Sequence, residues 1–349
     1  MFSPLKRRLV AGAVAVGLAL SLAACSTSSN SSSDASASTG SSSGTDANAF
    51  PVTIKSTLGS ATIESAPKRV VTIGWGSADT VVALGTVPVG IEKVTYGNDA
   101  HGDYPWVTSA IQKAGGTLPA TFNVYPDIDV SAIAALNPDV IIAPQSGLTQ
   151  AQYNTLSALA PTVAYPGQAW LTKWDTQIDM IGKALGKEKQ AKQQVTAIKA
   201  KLAAAAKANP EFSKLTFAYI SAANAGTLSL YAKGDPRVDL LSSLGLTETK
   251  EVAAVPLAKN SYLATLGLEK ANTLDSTDIL VTWFYDDANE KATLSQPLIA
   301  SLPAVKRDSI VSTTDQQFVM GSTFITPLSV PYALDRYIPM LKKAAAKVG

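Results

Sequence analysis

Residues 69–94 read RVVTIGWGSADTVVALGTVPVGIEKV. Val70, Val71, Thr72 and Ile73 form a short β-branched run, the pattern of a strand buried on both faces. It stops at Gly74-Trp75-Gly76. SADTVVALG follows, with Ser77 placed to cap a helix and Gly85 placed to end it. VPVGIEKV is strand-like again. Strand, helix and strand in so short a span make a βαβ unit, whose two strands run parallel.

The alternation continues outward. VSAIAALNPDVIIAP (130–144) reads as a helix, a turn at Asn137-Pro138 and a buried strand. LTQAQYNTLSALAP (148–161) opens with Thr149 and Gln152 at capping-box spacing. TVAYP (162–166) is a further short strand. Strands alternating with helices predict a mainly parallel sheet covered on both faces. Residues 172–208 interrupt the pattern. Trp174, Ile178, Ile181 and Leu185 share one helical face, and Gly186 ends that helix. KEKQAKQQVTAIKAKLAAAAKA then places Ala191, Val195, Ile198 and Leu202 on one side and lysines around the rest, as a surface helix or a strut between domains would. After Pro210 the alternation resumes. LTFAYIS, TLSLYA, DILVTWFY and SIVSTT read as strands. DPRVDLLSSLG (235–245) is a punctuated helix with Asp235 as cap, Pro236 first and Gly245 after the end. PLSVPYALDRYIPMLKKAAAK closes the chain as a helix with its prolines at the start and a tolerated kink. The expected fold is therefore α/β: two Rossmann-like lobes joined by a single long helix, with a cleft between them.

The ends of the chain carry a different signal. Lys6, Arg7 and Arg8 precede an apolar run, Leu9 to Ala23, of signal-peptide length and too short to span a bilayer comfortably. Leu22-Ala23-Ala24-Cys25 resembles a bacterial lipobox, which implies a lipidated Cys25 and a cut just before it. Cys25 is the only cysteine of the 349 residues, so lipidation leaves no thiol for a disulfide or a zinc site. The serine-rich segment behind it cannot bury a core and reads as a flexible tether. The expected organisation is a signal peptide (1–24), a lipidated cysteine and tether (25–49), an N-terminal lobe (50–171), connecting helices (172–208) and a C-terminal lobe (209–349).

Composition and motifs narrow the function. Net charge is +2 and charged residues make up 16%, with no basic cluster beyond the leader and hence no electrostatic footprint for nucleic acid. There is no nucleophile elbow, phosphate loop or zinc-protease motif. His101 is the single histidine and reads as a polar loop residue, so no enzyme and no protein-held metal is expected. What stands out is a set of aromatics at strand ends, where ligands of open α/β sheets bind. Trp75, Tyr96, Trp170, Tyr231, Trp283 and Tyr285 belong to it, with Tyr165 and Phe284 beside them. Gln145 follows the VIIAP strand. Trp106, Tyr125 and Phe324 join the candidate ligand contacts, and Arg237 is the one arginine near a cleft element. Arg237 could equally tie its helix to a neighbouring carboxylate. An aromatic cleft suits a large, partly apolar ligand with a few polar handles.

APKRVVTIGWGSADTVVALGTVPVGI (66–91), IAALNPDVIIA (133–143), YNTLSALAPTVAYP (153–166), DPRVDLLSSLGL (235–246) and TPLSVPYALDRYIPML (326–341) carry a resemblance. They look like the substrate-binding lipoproteins of ABC importers for ferric siderophores, haem and vitamin B12, and most like the ferric-siderophore binders of actinobacteria. The resemblance implies two α/β lobes on one long helix and a monomer anchored by lipid on the outer face of the membrane. It implies a ferric siderophore as ligand, with iron already chelated and no other cofactor. It also implies an ABC permease as partner, docked through one acidic residue on each lobe. Glu269 matches the second of these. The first falls at Ser131, leaving Asp129 or Asp127 to supply the charge. Few cleft arginines favour a weakly charged ferric hydroxamate over an anionic tris-catecholate. Three other readings stay open: haem or cobalamin on the same fold, with Tyr96 or Tyr231 as an axial haem ligand, a lipid-anchored hydrolase, and a sensor of the same fold that signals to a membrane partner instead of feeding an importer.

Overall fold

The computed structural model describes residues 44–221, 227–231, 233–257, 261 and 263–348. The expected signal peptide, Cys25 and most of the tether lie outside this range.

The first lobe opens with an antiparallel hairpin of β1 (Val52–Lys55) and β2 (Ser60–Ile63). Then come β3 (Val70–Thr72), α1 (Ser77–Ala83), β4 (Gly90–Glu92), α2 (Pro105–Lys113), β5 (Ala120–Phe122), α3 (Val130–Ala135), β6 (Val140–Ile142), α4 (Gln150–Ser157) and β7 (Thr162–Val163). The five strands β3 to β7 form one parallel sheet in the order β5-β4-β3-β6-β7. The chain moves outward in opposite directions from β3, so the ends of β3 and β6 mark the crevice where such sheets bind ligands.

Two helices lead out of this lobe, α5 (Trp174–Ala184) and α6 (Glu188–Ala208). The 21 residues of α6 make a rod of about 31 Å, with Ala191, Ile198 and Leu202 buried along one stripe as the sequence pattern requires.

The second lobe contains β8 (Thr216–Ser221), β9 (Thr227–Tyr231), α7 (Pro236–Ser243), β10 (Thr247–Glu248), α8 (Lys250–Ala253), β11 (Leu263–Gly267), β12 (Ile279–Val281), α9 (Asp287–Leu294), α10 (Pro297–Ala300), α11 (Pro303–Lys306), β13 (Ile310–Val311), α12 (Gln316–Gly321) and α13 (Ser329–Ala345). Its sheet is mixed. β10, β12 and β13 run parallel to β8 or to one another, whereas β9 and β11 are antiparallel. β10 pairs with the first half of the β8 edge and β9 with the second.

Neighbouring residues on each central strand face opposite layers. Val70 and Ile142 join a core shared with α5, α6, α7, α13 and Phe217 of the second sheet. Val71 and Ile141 face a separate core under α3 and α4. Ala218 and Ile220 face a third, under α10 and α11. The shared core runs through the two connecting helices without a break, so the lobes are packed together as well as linked.

Local punctuation largely follows the sequence. Thr149 and Gln152 form the full capping box of α4, and Asp235 caps α7 with Pro236 first. Ser77 differs. Its hydroxyl donates to the Ile73 carbonyl at 2.9 Å, and Gly76, at φ 70°, is the capping position of α1. The hydroxyl points back along the chain, because the strand carbonyl four residues earlier is the nearer acceptor. The prolines of α13 are not confined to its start: Pro339 lies inside the helix.

Candidate functional site

A cavity of about 420 Å³ opens between the lobes at the strand ends. The first lobe supplies Trp75 after β3, Glu92 to Tyr96 at the end of β4, Val124 and Tyr125 after β5, and Trp170 after β7. The second supplies Tyr231 from the end of β9, Arg237 from α7, Trp283 after β12, and Val319, Met320 and Thr323 from α12 and the turn behind it.

The first-lobe floor is locked by backbone. Gly74 has φ 87°, and a Cβ there would collide with the Gln145 carbonyl oxygen, so only glycine allows the close approach. The Trp75 N–H donates to the same carbonyl at 3.0 Å. Trp170 lies against Trp75 with ring centroids 5.0 Å apart. Trp170 itself has φ 64°, a left-handed conformation that is strained for a bulky residue and costs about 1–3 kcal/mol. Gln145 helps to hold it there: its side-chain N–H donates to the Trp170 carbonyl at 2.8 Å, and its Oε1 accepts the Thr172 N–H at 2.8 Å.

Across the cleft, Trp283 packs edge-on to Tyr285 at 5.1 Å and tilted to Tyr96 at 5.7 Å. The Tyr96 hydroxyl is buried without a hydrogen-bond partner among the described residues. Burial first, then the nearby Tyr285, Tyr231 and Asp315, push its pKa up to about 12. It therefore stays protonated and can donate to a ligand oxygen. The Arg237 guanidinium lies 4.1 Å from the Tyr231 ring centre and 5.7 Å from that of Trp75, close enough for cation–π attraction. It also pairs with Asp235 at 2.7 Å, both side chains almost fully buried. The carboxylate reading of Arg237 is thus realised, the guanidinium also lines the cavity, and Asp235 largely balances its charge there. Glu92 accepts the Gly74 N–H at 2.7 Å, and burial raises its pKa.

The structure gathers Trp75, Tyr96, Tyr125, Trp170, Tyr231, Arg237 and Trp283 around one cavity. Tyr285, 51% exposed, stands at the rim behind Tyr96 and Trp283. Three expected contacts fall elsewhere. Trp106 and Phe324 are buried in a cluster with Tyr104, because the Trp106 N–H donates to Asp79 and turns the indole inward. Gln145 is buried, and both ends of its amide are engaged with backbone. Tyr165 donates to the Leu148 carbonyl inside the first lobe, and Phe284 is buried. The His101 Nε2–H donates to the Pro119 carbonyl at 2.9 Å, and His101 is absent from the cleft lining. Glu92, Lys93, Val94, Thr95, Tyr104, Val124, Val319, Met320 and Thr323 were not foreseen. The strand-end rule that selected Tyr96 would have found the β4 residues had it not been restricted to aromatics.

The acidic candidates sit on the surface. Asp129 is exposed and caps α3 by accepting the Ala132 N–H at 2.9 Å. Asp127 and Ser131 are exposed beside it. Glu269 is exposed in the first turn of the 3-10 segment Leu268–Leu274.

A larger hollow of about 510 Å³ lies along α6, lined by Trp174, Asp175, Lys199 and Asp239 among others. It is a groove bounded by partly exposed charged chains, with Lys199 bridging to Asp175 at 3.0 Å. It lies off the strand ends and lacks convergent buried polar groups, so the aromatic cleft is the better ligand site.

Comparison with known proteins agrees with the two-lobed α/β fold. A family model described as periplasmic binding protein matches residues 70–317. The Fe(3+) dicitrate-binding periplasmic protein FecB of Escherichia coli is 24% identical over 269 residues, covering 76% of this chain and 83% of that protein. A putative ABC transporter substrate-binding lipoprotein, YhfQ of Bacillus subtilis, is 30% identical over 154 residues, 43% of this chain and 45% of that one. The crystal structure of Streptococcus pneumoniae PiaA in complex with ferrichrome superimposes with a TM-score of 0.77 at 30% identity, covering 85% of this chain and 99% of that one. These relatives are binding proteins rather than enzymes, in line with the motif reading.

Proposed function

We propose that this chain, which belongs to the periplasmic binding protein family, captures a ferric siderophore in the interlobe cleft and delivers it to an ABC importer for iron uptake. One observation carries the reading. Trp75 and Trp170 on one lobe face Tyr231 and Trp283 on the other around a 420 Å³ cavity, in a chain whose fold superimposes on that of PiaA, a protein solved in complex with ferrichrome.

The chemistry of the wall fits such a cargo. The aromatic rings take the organic shell of the chelate out of water. The Tyr96 hydroxyl, buried and without a partner among the described residues, supplies a donor for an iron-bound oxygen. Arg237 adds a directed guanidinium whose charge Asp235 already offsets. The siderophore's own oxygens hold the iron, so the protein contributes shape and hydrogen bonds in place of metal ligands. A wall with so little net positive charge suits a ferric hydroxamate, which is neutral at iron, better than a tris-catecholate, which is strongly anionic. Cys25 serves as the lipid anchor on the outer face of the membrane, and the protein acts as a monomer. The exposed Glu269 and Asp129 are the charges offered to the permease. The unbroken core through α5 and α6 keeps lobe closure small.

Tryptophan quenching on titration with ferrichrome, a ferric tris-catecholate, haem and cobalamin tests this reading. Saturable quenching by ferrichrome at sub-micromolar concentration is expected. A response to haem or cobalamin alone would transfer the fold to those ligands, and a response to the catecholate alone would overturn the hydroxamate preference.

A further inference from the structure

The cleft wall at Glu92 has a second side. Behind it lies a small cavity of about 20 Å³, roughly the room one water-sized group needs. Asp79 from α1, Glu92 from β4 and Asp103 from the loop before α2 all line it. Among the described residues, no lysine, arginine or histidine does. Glu92, Val94 and Tyr104 line both this cavity and the ligand cleft, so the two share a wall.

Two of the three carboxyl groups have donors suited to them. Asp79 accepts from Trp106, Thr326 and the Leu328 N–H, and Glu92 accepts from Gly74. Asp103 differs. Its Oδ1 accepts the Tyr104 N–H at 2.7 Å, but its Oδ2 is buried with no partner among the described residues, although the residue is only 3% exposed. A buried carboxyl oxygen without a donor is a standing destabilisation. The groups facing it make matters worse. Asp79, Glu92 and Asp99 all raise the pKa of Asp103, after burial itself, to about 7. The nearby cations do not relieve this. Lys93 is an exposed rim residue whose stem lies over Gly102, and the His101 ring is turned to Pro119.

What this cavity lacks is a compact group with several donors and a positive charge. A bare metal ion does not fit, since no set of three or more acidic, histidine or cysteine residues among those described is placed to hold one. A primary ammonium has three donors in about the volume of a water.

We infer that the Asp79–Glu92–Asp103 cavity is a subsite for a protonated primary amine carried by the bound ligand, reached from the cleft past Glu92 and Tyr104. This rests on the siderophore reading above and adds to it a ligand class: ferric hydroxamates with a free amine arm.

Two probes with the same iron core test it. Ferrioxamine B is a linear ferric trihydroxamate ending in a primary amine, and its N-acetylated derivative lacks the charge. The wild-type protein is expected to bind the amine form at least tenfold more tightly. Asp103→Asn is expected to bring that ratio close to one while leaving the affinity for the acetylated form within about twofold. A wild-type ratio near one overturns the inference, as does a ratio that survives Asp103→Asn. Should the variant fail to fold, the wild-type ratio still decides. If ferrichrome binds and the ratio is one, only the amine subsite falls. If no ferric siderophore binds, the functional reading falls and takes the subsite with it. A thermal shift with ammonium chloride but not sodium chloride, alongside a ratio of one, would assign the cavity to a free ion and equally overturn the tethered amine.

Discussion

The carboxyl group of Asp79, in the first helix of the first lobe, accepts the hydroxyl proton of Thr326, 247 positions further along the chain. Thr326 also bonds Ser329 at the start of α13, and Phe324 beside it packs on Tyr104 and Trp106. The segment between α12 and α13 is therefore a strap from the second lobe onto the first. Thr326→Val keeps the shape and deletes the donor. It should destabilise the protein by about 1–3 kcal/mol, a fall in Tm of a few degrees for a chain of this size. Thr326→Ser should restore most of it. A Thr326→Val variant with unchanged Tm would contradict the strap.

Burial raises Asp79 to about 6 and Asp103 to about 7. Carboxyls whose folded pKa lies above the unfolded value stabilise the fold while protonated. Their contribution is complete below about pH 3.8 and is lost as pH rises through the folded values, on the order of 3 kcal/mol for each group. Asp103→Asn cannot ionise. It should gain about 2–3 kcal/mol on the wild type between pH 5 and pH 8, read from urea unfolding at both values. A difference that does not change with pH would contradict the burial account.

Asp235 and Arg237 form a buried pair next to the cleft. Asp235→Asn leaves the guanidinium uncompensated and should cost about 3–5 kcal/mol. Adding Arg237→Met removes the orphaned charge and should recover most of the loss. Additive losses in the double variant would show that the two side chains act independently.

Gln145 touches no cleft surface but helps to hold Trp170 at its positive φ. Gln145→Ala should weaken ligand binding fivefold or more through the displaced indole, with only a modest fall in Tm. Unchanged affinity would mean that the Trp170 loop is held by the Ser146 carbonyl bond alone.

Much of this was legible in the chain. The run Val70–Ile73, the turn at Gly74-Trp75-Gly76 and the helix after it give the parallel unit at the crevice, because β-branched residues and glycine act locally. The helical spacing of Ala191, Val195, Ile198 and Leu202 gives the long helix that the fold uses as the strut. Strands such as β5 and β10, with three and two residues, carry no periodicity of their own and exist only through their neighbours. The site divides in the same way. Trp75 and Trp283 could be placed by the strand-end rule. Trp106 could not, since its orientation depends on Asp79, and an aspartate read from sequence is a surface residue until a fold buries it. Asp103 and Glu92 were invisible for that reason, as were Met320 and Thr323, whose place at the cleft follows from how α12 folds over the sheet.

The proposed cargo of the aromatic cleft is a ferric siderophore. Calorimetric titration of the protein with ferrichrome, beside a variant carrying Trp75→Ala and Trp283→Ala, tests it most directly. One-to-one binding with a sub-micromolar Kd is expected, weakened at least tenfold in a variant that still folds. Absence of binding by the wild type across ferric hydroxamates and catecholates, or equal affinity in the variant, would contradict it.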